Sequence, residues 1–243
     1  DDVNLILRGL SEYSPRREPL NYIWLISHPD KVEIEELNSY DRVFVASEKY
    51  ADFLSSKVQV PVHKLLQCTD HIRFNPLAKL NETKQKFDVL FVGNTRGQFR
   101  KIVRDALHIG IKPVVFGAGW EKFIPNQLIK GQTISNEILP NFYANSKVIL
   151  NDHWEDMSRN GFLSNRLFDA VACGARVVSD KCHGMGVIFD DAVFEYESVS
   201  ELSSALASFT TAHENPLPYK ITVKILNTQN FRERADRIIH FAN

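Results

Sequence analysis

Three short segments of the 243-residue chain place glycine, arginine, asparagine and acid at spacings that can hold an anion and a sugar ring. The first is Gly93-Asn94-Thr95-Arg96-Gly97, directly after an apolar run at 88–92. Glycine lets backbone approach a ligand, and arginine grips phosphate oxygens with a planar fork. An ordinary turn with a solvated arginine is the competing reading. The spacing is not G-x-G-x-x-G, so the dinucleotide fingerprint is absent. The second segment is Gly117-Ala118-Gly119-Trp120, whose small residues leave room for a flat ring. Trp120 either stacks on that ring or belongs to the core. The third runs from Asn151-Asp152-His153-Trp154 through Gly161-Phe162-Leu163 to Ser164-Asn165-Arg166. Ser164 is placed to cap the helix that follows, and the free N–H groups and positive dipole end of that helix suit a diphosphate. Arg166 adds a cation, while Asp152 and Asn165 add polar contacts. Asp169, one turn further, can accept two hydrogen bonds from a ribose diol, or simply complement the helix dipole. Two histidines, His28 in Ser27-His28-Pro29-Asp30 and His153, can exchange protons near neutrality or touch an acceptor, or serve structurally. The pair Asp190-Asp191 precedes a late strand and reads as surface, so no metal or other cofactor is invoked.

These residues need strands and helices to hold them, and the chain alternates the two, as a parallel sheet with helices on its faces requires. Strands are predicted at 3–7, 22–26, 42–46 and 62–66, with helices at 31–38 and 48–57, the second capped by Ser47. A polar stretch at 70–86 reads as a linker. Beyond it come a strand at 88–92, a helix at 98–109, a strand at 113–116, a strand or turn near 128–131 and a helix at 135–145. Then follow a strand at 147–151, a long polar loop at 152–163, a helix at 164–173 closed by Gly174 and a strand at 176–179. A glycine loop at 184–186, a strand at 193–196, a helix at 198–209 and one last helix at 219–242 complete the pattern. The expected domains are 1–75, 76–218 and a final segment, 219–243, returning to the first.

Composition excludes several alternatives. Apolar residues make up 44% and charged residues 24%, as in ordinary globular proteins. The net charge is −1 with no lysine–arginine block, which argues against a nucleic-acid surface. Apolar runs are of strand length, well short of the roughly 20 residues that span a bilayer, and no leader peptide is visible. Cys68, Cys173 and Cys182 are an odd number without C-x-x-C spacing, which suits a reducing cytoplasm. Cys173 lies in an apolar helical pattern and reads as core. The chain opens on Asp-Asp-Val with a strand already under way, so a preceding part is expected to be missing.

The run NRLFDAVACGARVVSD at 165–180, FVGNTR at 91–96 and GAGW at 117–120 resembles the spore-maturation-type (CgeB-like) glycosyltransferases, related to family-one and family-four GT-B enzymes. WLISHP at 24–29 and FVASE at 44–48 look like the closing strands of the acceptor-side lobe. The resemblance implies an α/β GT-B-like fold of two Rossmann-like lobes, the first incomplete. It implies a nucleotide sugar on the second lobe and a saccharide or glycoconjugate acceptor on the first. The enzyme would be cytoplasmic and would associate peripherally with a membrane through that acceptor. Asp169 falls at the family's ribose-binding acid, and Arg96 on a phosphate-side loop. The glutamate that retaining family-four enzymes carry about eight residues before the ribose acid is missing here, where Asn160-Gly161 stands. That departure leaves the stereochemistry open. It also leaves two rivals, a sugar-nucleotide epimerase and a non-catalytic nucleotide-binding domain.

Overall fold

The computed structural model describes residues 2–77, 86–211 and 219–241. They form two separate, fully parallel sheets. The first contains β1 (Val3–Arg8), β2 (Leu20–Leu25), β3 (Arg42–Val45) and β4 (Val62–Lys64), side by side in chain order. Helices α1 (Ile34–Asn38) and α2 (Glu48–Ser55) connect its later strands. The second contains β5 (Phe87–Val92), β6 (Val114–Phe116), β7 (Ile129–Gly131), β8 (Ser146–Asn151), β9 (Val177–Asp180) and β10 (Val193–Tyr196). Their order is β7-β6-β5-β8-β9-β10. The chain thus steps outward from β5 to β7 and returns to the other side of β5. That reversal opens a crevice at the carboxyl ends of β5 and β8, where ligands of open α/β sheets bind.

Period-two alternation splits each strand between two buried faces. Leu90, Ile149 and Val177 pack under α4 (Leu139–Ala144), α6 (Asn165–Ala172) and α9 (Tyr219–Thr228). Val89, Phe91, Val148, Leu150 and Val178 pack on the other face with α3 (Lys101–His108) and α8 (Val199–Thr211). In the first sheet, Ile23, Leu25, Val43 and Val45 face α1 and α2. Tyr22, Trp24 and Phe44 face Ile238 of α10 (Phe231–His240), a helix from the far end of the chain. Arg234 of α10 donates to the carbonyls of Leu66 (2.7 Å) and Gln67 (3.0 Å), and the Tyr22 hydroxyl donates to that of Phe241 (2.8 Å).

Four segments differ from the sequence reading. The supposed loop at 152–163 contains α5 (Glu155–Asn160), acidic in its first turn and ended by Gly161 at φ 75°. Met157 is its only buried residue, so it shows no amphipathic period. The glycine loop near 184 opens directly into α7 (Met185–Phe189). The final helix is two, because Asn230 turns extended and its side chain accepts the Glu233 N–H at 3.0 Å, starting α10 afresh. The 31–38 helix is a 3-10 turn at Pro29–Lys31 followed by α1. Much of the predicted linker, 78–85, lies outside the described residues. All three cysteines are free and buried, and burial pushes the thiols of Cys68 and Cys182 up to about 12. No helix among the described residues is long and apolar enough to cross a membrane.

Candidate functional site

The carboxyl ends of the two sheets face each other, and the chemistry-bearing loops meet between them. A cavity of about 190 Å³ is lined by Ser27 and His28 from the first lobe. From the second come Arg96, Asp152, His153, Trp154, Met157, Ser164 and Asn165. Six of the sequence-predicted residues are therefore brought together: His28, Arg96, Asp152, His153, Ser164 and Asn165. Larger cavities of about 490 Å³ and 510 Å³ adjoin it, and Trp154 lines all three.

His28 and Arg96 touch across the cleft. Arg96 Nη1 lies 3.2 Å from His28 Nε2, and His28 Nδ1 lies 3.5 Å from Asp156 Oδ2. A guanidinium only donates, so His28 Nε2 is the acceptor and its proton sits on Nδ1. Both residues have positive φ, 52° and 49°. Non-glycine residues rarely adopt that region, and such strain gathers where the surroundings hold a functional group in place. Trp154 completes this corner, with the guanidinium carbons of Arg100 and Arg96 at 4.4 Å and 5.4 Å from its ring centre.

Several expected contacts turn out differently. Asp152 does not offer a free carboxylate. Arg100 Nε binds its Oδ2 at 3.1 Å, and Arg100 Nη2 binds its Oδ1 and its carbonyl. Arg166 does not join Arg96 at a common anion site. Its guanidinium turns inward, donates to Asn151 Oδ1 at 2.8 Å, bonds the Tyr143 hydroxyl and lies over the Phe91 ring at 5.0 Å. Burial pushes its pKa below the usual value. Ser164 occupies the first position before α6, but its hydroxyl makes no capping bond.

The glycine loops pack on each other rather than leaving space for a ring. A Cβ on Gly117 would lie 2.1 Å from the Gly93 carbonyl oxygen, and one on Gly93 would lie 2.7 Å from Arg166 Nη2. Gly119, at φ 82°, sits against the Thr95 hydroxyl. Asn94 Oδ1 accepts the Ala118 N–H at 2.8 Å. Trp120 is 0% exposed and donates to the Gly93 carbonyl, so it is core and cannot stack on a ligand.

Asp169 is 9% exposed and does not line the cavity. Its Oδ1 accepts from the Thr69 hydroxyl at 2.7 Å and its Oδ2 from Asn165 Nδ2 at 2.8 Å. It therefore stands one layer behind Asn165. Burial pushes its carboxyl up to about 7 against the pull of those two hydrogen bonds.

Sequence reasoning missed Arg100, Asp180 and Thr69, and quoted Trp154 within the third segment without giving it a role. Arg100 extends a loop already singled out. Asp180 and Thr69 are defined only by strand pairing and by the contact between lobes.

A family described as glycosyl transferase-like matches residues 96–239, more than half of the chain. No curated protein sequence matches. Among solved structures, sucrose-phosphate synthase from Thermosynechococcus elongatus superposes with a TM-score of 0.64 at 13% identity, over 91% of this chain and 67% of its own. The α,α-trehalose-phosphate synthase (UDP-forming) from Burkholderia vietnamiensis gives 0.65 at 10% identity, over 91% and 65%. HepE from Anabaena, solved with UDP, gives 0.64 at 12% identity, over 92% and 72%. At such identities the likeness establishes the fold, the two-lobed GT-B arrangement. The chain spans about two thirds of these structures, and 51% of TarM, a further match.

Proposed function

Because the chain belongs to the glycosyl transferase-like family, we propose that it moves a sugar from a nucleoside diphosphate sugar to a hydroxyl of a saccharide or glycoconjugate. One observation carries this reading: loops from the facing ends of two parallel sheets converge on one cavity at the point where the second sheet reverses order. As the bond from the sugar's C1 to the diphosphate breaks, its electron pair goes to the phosphate oxygen. Arg96 and the amino end of α6, at Ser164 and Asn165, stand where they can meet that charge. This assignment needs no metal, so a chelator should leave turnover unchanged.

His28 is the candidate to meet the acceptor hydroxyl, since the side chain of His153, the other histidine singled out in the sequence, is 0% exposed. His28 Nε2 already accepts from Arg96, so a proton taken up there would break that bond. Asp169 lies outside the wall of this cavity, so the ribose assigned to it would sit beyond Asn165, where each oxygen has a second lone pair beside the bonds from Thr69 and Asn165. UDP is the first nucleotide to try, since related folds are described as UDP-forming or were solved with UDP. Membership of the spore-maturation-type group, a role in bacterial surface polysaccharide or glycoconjugate synthesis, a cytoplasmic location and membrane association through the acceptor all belong to the same proposal. Incubating the full-length protein with a panel of sugar nucleotides tests it. A transferase releases nucleoside diphosphate, an epimerase yields an isomeric sugar nucleotide, and a binding domain does neither.

A further inference from the structure

We infer that Arg96 masks His28 in the empty cleft and that a bound diphosphate unmasks it, drawing the guanidinium off His28 Nε2 and leaving that nitrogen free to take the acceptor's proton. The inference rests on the sugar-transfer reading of the cleft and adds a gate to it. His28 and Arg96 both line the cavity of about 190 Å³, which is also lined by Ser164 and Asn165 at the start of α6. Both also line the adjoining cavity of about 490 Å³, together with Leu10 and Lys31 of the first lobe. The His28 side chain is 12% exposed and Arg96 is exposed, so both reach the open cleft. Their contact, Arg96 Nη1 to His28 Nε2 at 3.2 Å, stands between the place assigned to a diphosphate and the side from which an acceptor would enter.

The mask is loosely held on the arginine side. Arg100 is bound to Asp152 and Arg166 is turned inward, but Arg96 forms no ion pair with any carboxylate of the described residues. Its partners are a neutral imidazole and the ring of Trp154 at 5.4 Å. A diphosphate adds ionic attraction and can take two prongs of the guanidinium at once, which one ring nitrogen cannot. On the histidine side the ring is held ready. Nδ1 lies 3.5 Å from Asp156 Oδ2, which favours the proton on Nδ1 and the lone pair on Nε2. Once Arg96 moves, Nε2 takes the proton that the acceptor hydroxyl loses as its oxygen bonds to the sugar's C1. The electron pair of the broken C1–O bond leaves on the diphosphate beside Arg96, and the new imidazolium stands beside the Asp156 carboxylate. With the diphosphate absent, Nε2 is covered and activates neither water nor acceptor. His153 takes no part, because its side chain is 0% exposed and its Nδ1 lies 2.7 Å from Asp180 Oδ1.

The test is the rate at which diethyl pyrocarbonate acylates each histidine of the full-length protein, read by mass spectrometry of its peptides. The reagent attacks through an imidazole lone pair, and a ring protonated on Nδ1 offers one only at Nε2. Calorimetry first selects the diphosphate that binds from UDP, GDP, ADP, CDP and dTDP. At saturation it should raise the His28 rate by about twofold to tenfold, the net worth of one hydrogen bond given up. The matching nucleoside, which has no phosphate, should not raise it. Arg96→Ala should show the raised rate with nothing bound, and the diphosphate should add nothing further. His63 is the internal control, since its Nε2 also lies against an arginine, Arg42 Nη1 at 2.7 Å, yet it lines none of the three cleft cavities. Its rate should stay constant throughout. A His28 rate that stays level or falls when the diphosphate binds, or that Arg96→Ala leaves unchanged, overturns the inference while the transferase reading stands. If no diphosphate of the panel binds, the transferase reading falls and this inference with it.

Discussion

At the scale of single residues, two arginines of one loop have opposite roles. Arg100 is 8% exposed and holds Asp152 with two prongs, while Arg96 is exposed and strained at φ 49°. Arg100→Ala leaves a buried carboxylate uncompensated and should destabilise the fold by about 3–5 kcal/mol in denaturant unfolding. Arg96→Gly relieves the backbone and should leave stability within about 1 kcal/mol of the parent. It should nonetheless remove most turnover, and a large loss of stability on Arg96→Gly would contradict the assignment. Asp169 makes a different prediction. Its carboxyl is pushed up to about 7 in the fold from 3.8. Between those two values the folded chain keeps a proton that the unfolded chain releases, so stability falls as pH rises from about 4 through about 7. Asp169→Asn should flatten that fall and should be more stable than the parent above about pH 7. Ribose hydroxyls donating to the carboxylate would favour its ionised form, so UDP binding should tighten with rising pH and release a proton near pH 7. Binding whose pH dependence is the same in Asp169→Asn would place the carboxyl away from the ligand. The residue types of the site were legible in the sequence. The direction each side chain takes was not, as Arg166 and Trp120 show, because both are turned inward by neighbours distant in sequence.

At the scale of elements, α5 decides how the lobes meet. It follows β8 of the second sheet, yet Met157 and Phe162 pack into the core of the first. Ser47, the cap of α2, accepts the Tyr50 N–H at 3.1 Å and donates to the Asn160 carbonyl at 2.6 Å. Arg159 pairs with Asp30, and Lys49 donates to the Arg159 carbonyl at 2.8 Å. A Cβ on Gly161 would meet the Ser47 hydroxyl at 3.1 Å, so the close approach uses the missing side chain. Phe162→Ala should cost about 3–5 kcal/mol. It should raise amide exchange in β2 and β3, strands of the other lobe. Exchange confined to the second lobe would mean that α5 is not a clasp. The strands were legible because their alternation is buried on both faces, as in Val89-Leu90-Phe91 and Val148-Ile149-Leu150. Helix α5 was not, because its contacts are made with a lobe that its own sequence neighbourhood does not reveal.

At the scale of the whole molecule, the described residues join the two lobes through Thr69, which reaches Asp169, through α5, through α10 on the first sheet and through Arg96 against His28. The two-lobed arrangement could be read from the repeated strand–helix pattern and its polar break. The strand order β7-β6-β5-β8-β9-β10 could not, since it depends on which side of β5 the chain returns to. That order places the crevice, and the crevice carries the functional claim. The most direct test is single-turnover release of nucleoside diphosphate from the preferred sugar nucleotide by the full-length protein and by Arg96→Ala, each with the affinity for bare nucleoside measured alongside. The account predicts that Arg96→Ala slows release by about 100-fold or more, the scale of losing one group that stabilises developing charge, while nucleoside affinity changes less than threefold, about 0.7 kcal/mol. Release that is unchanged in Arg96→Ala, or that falls only as far as nucleoside affinity falls, would contradict it.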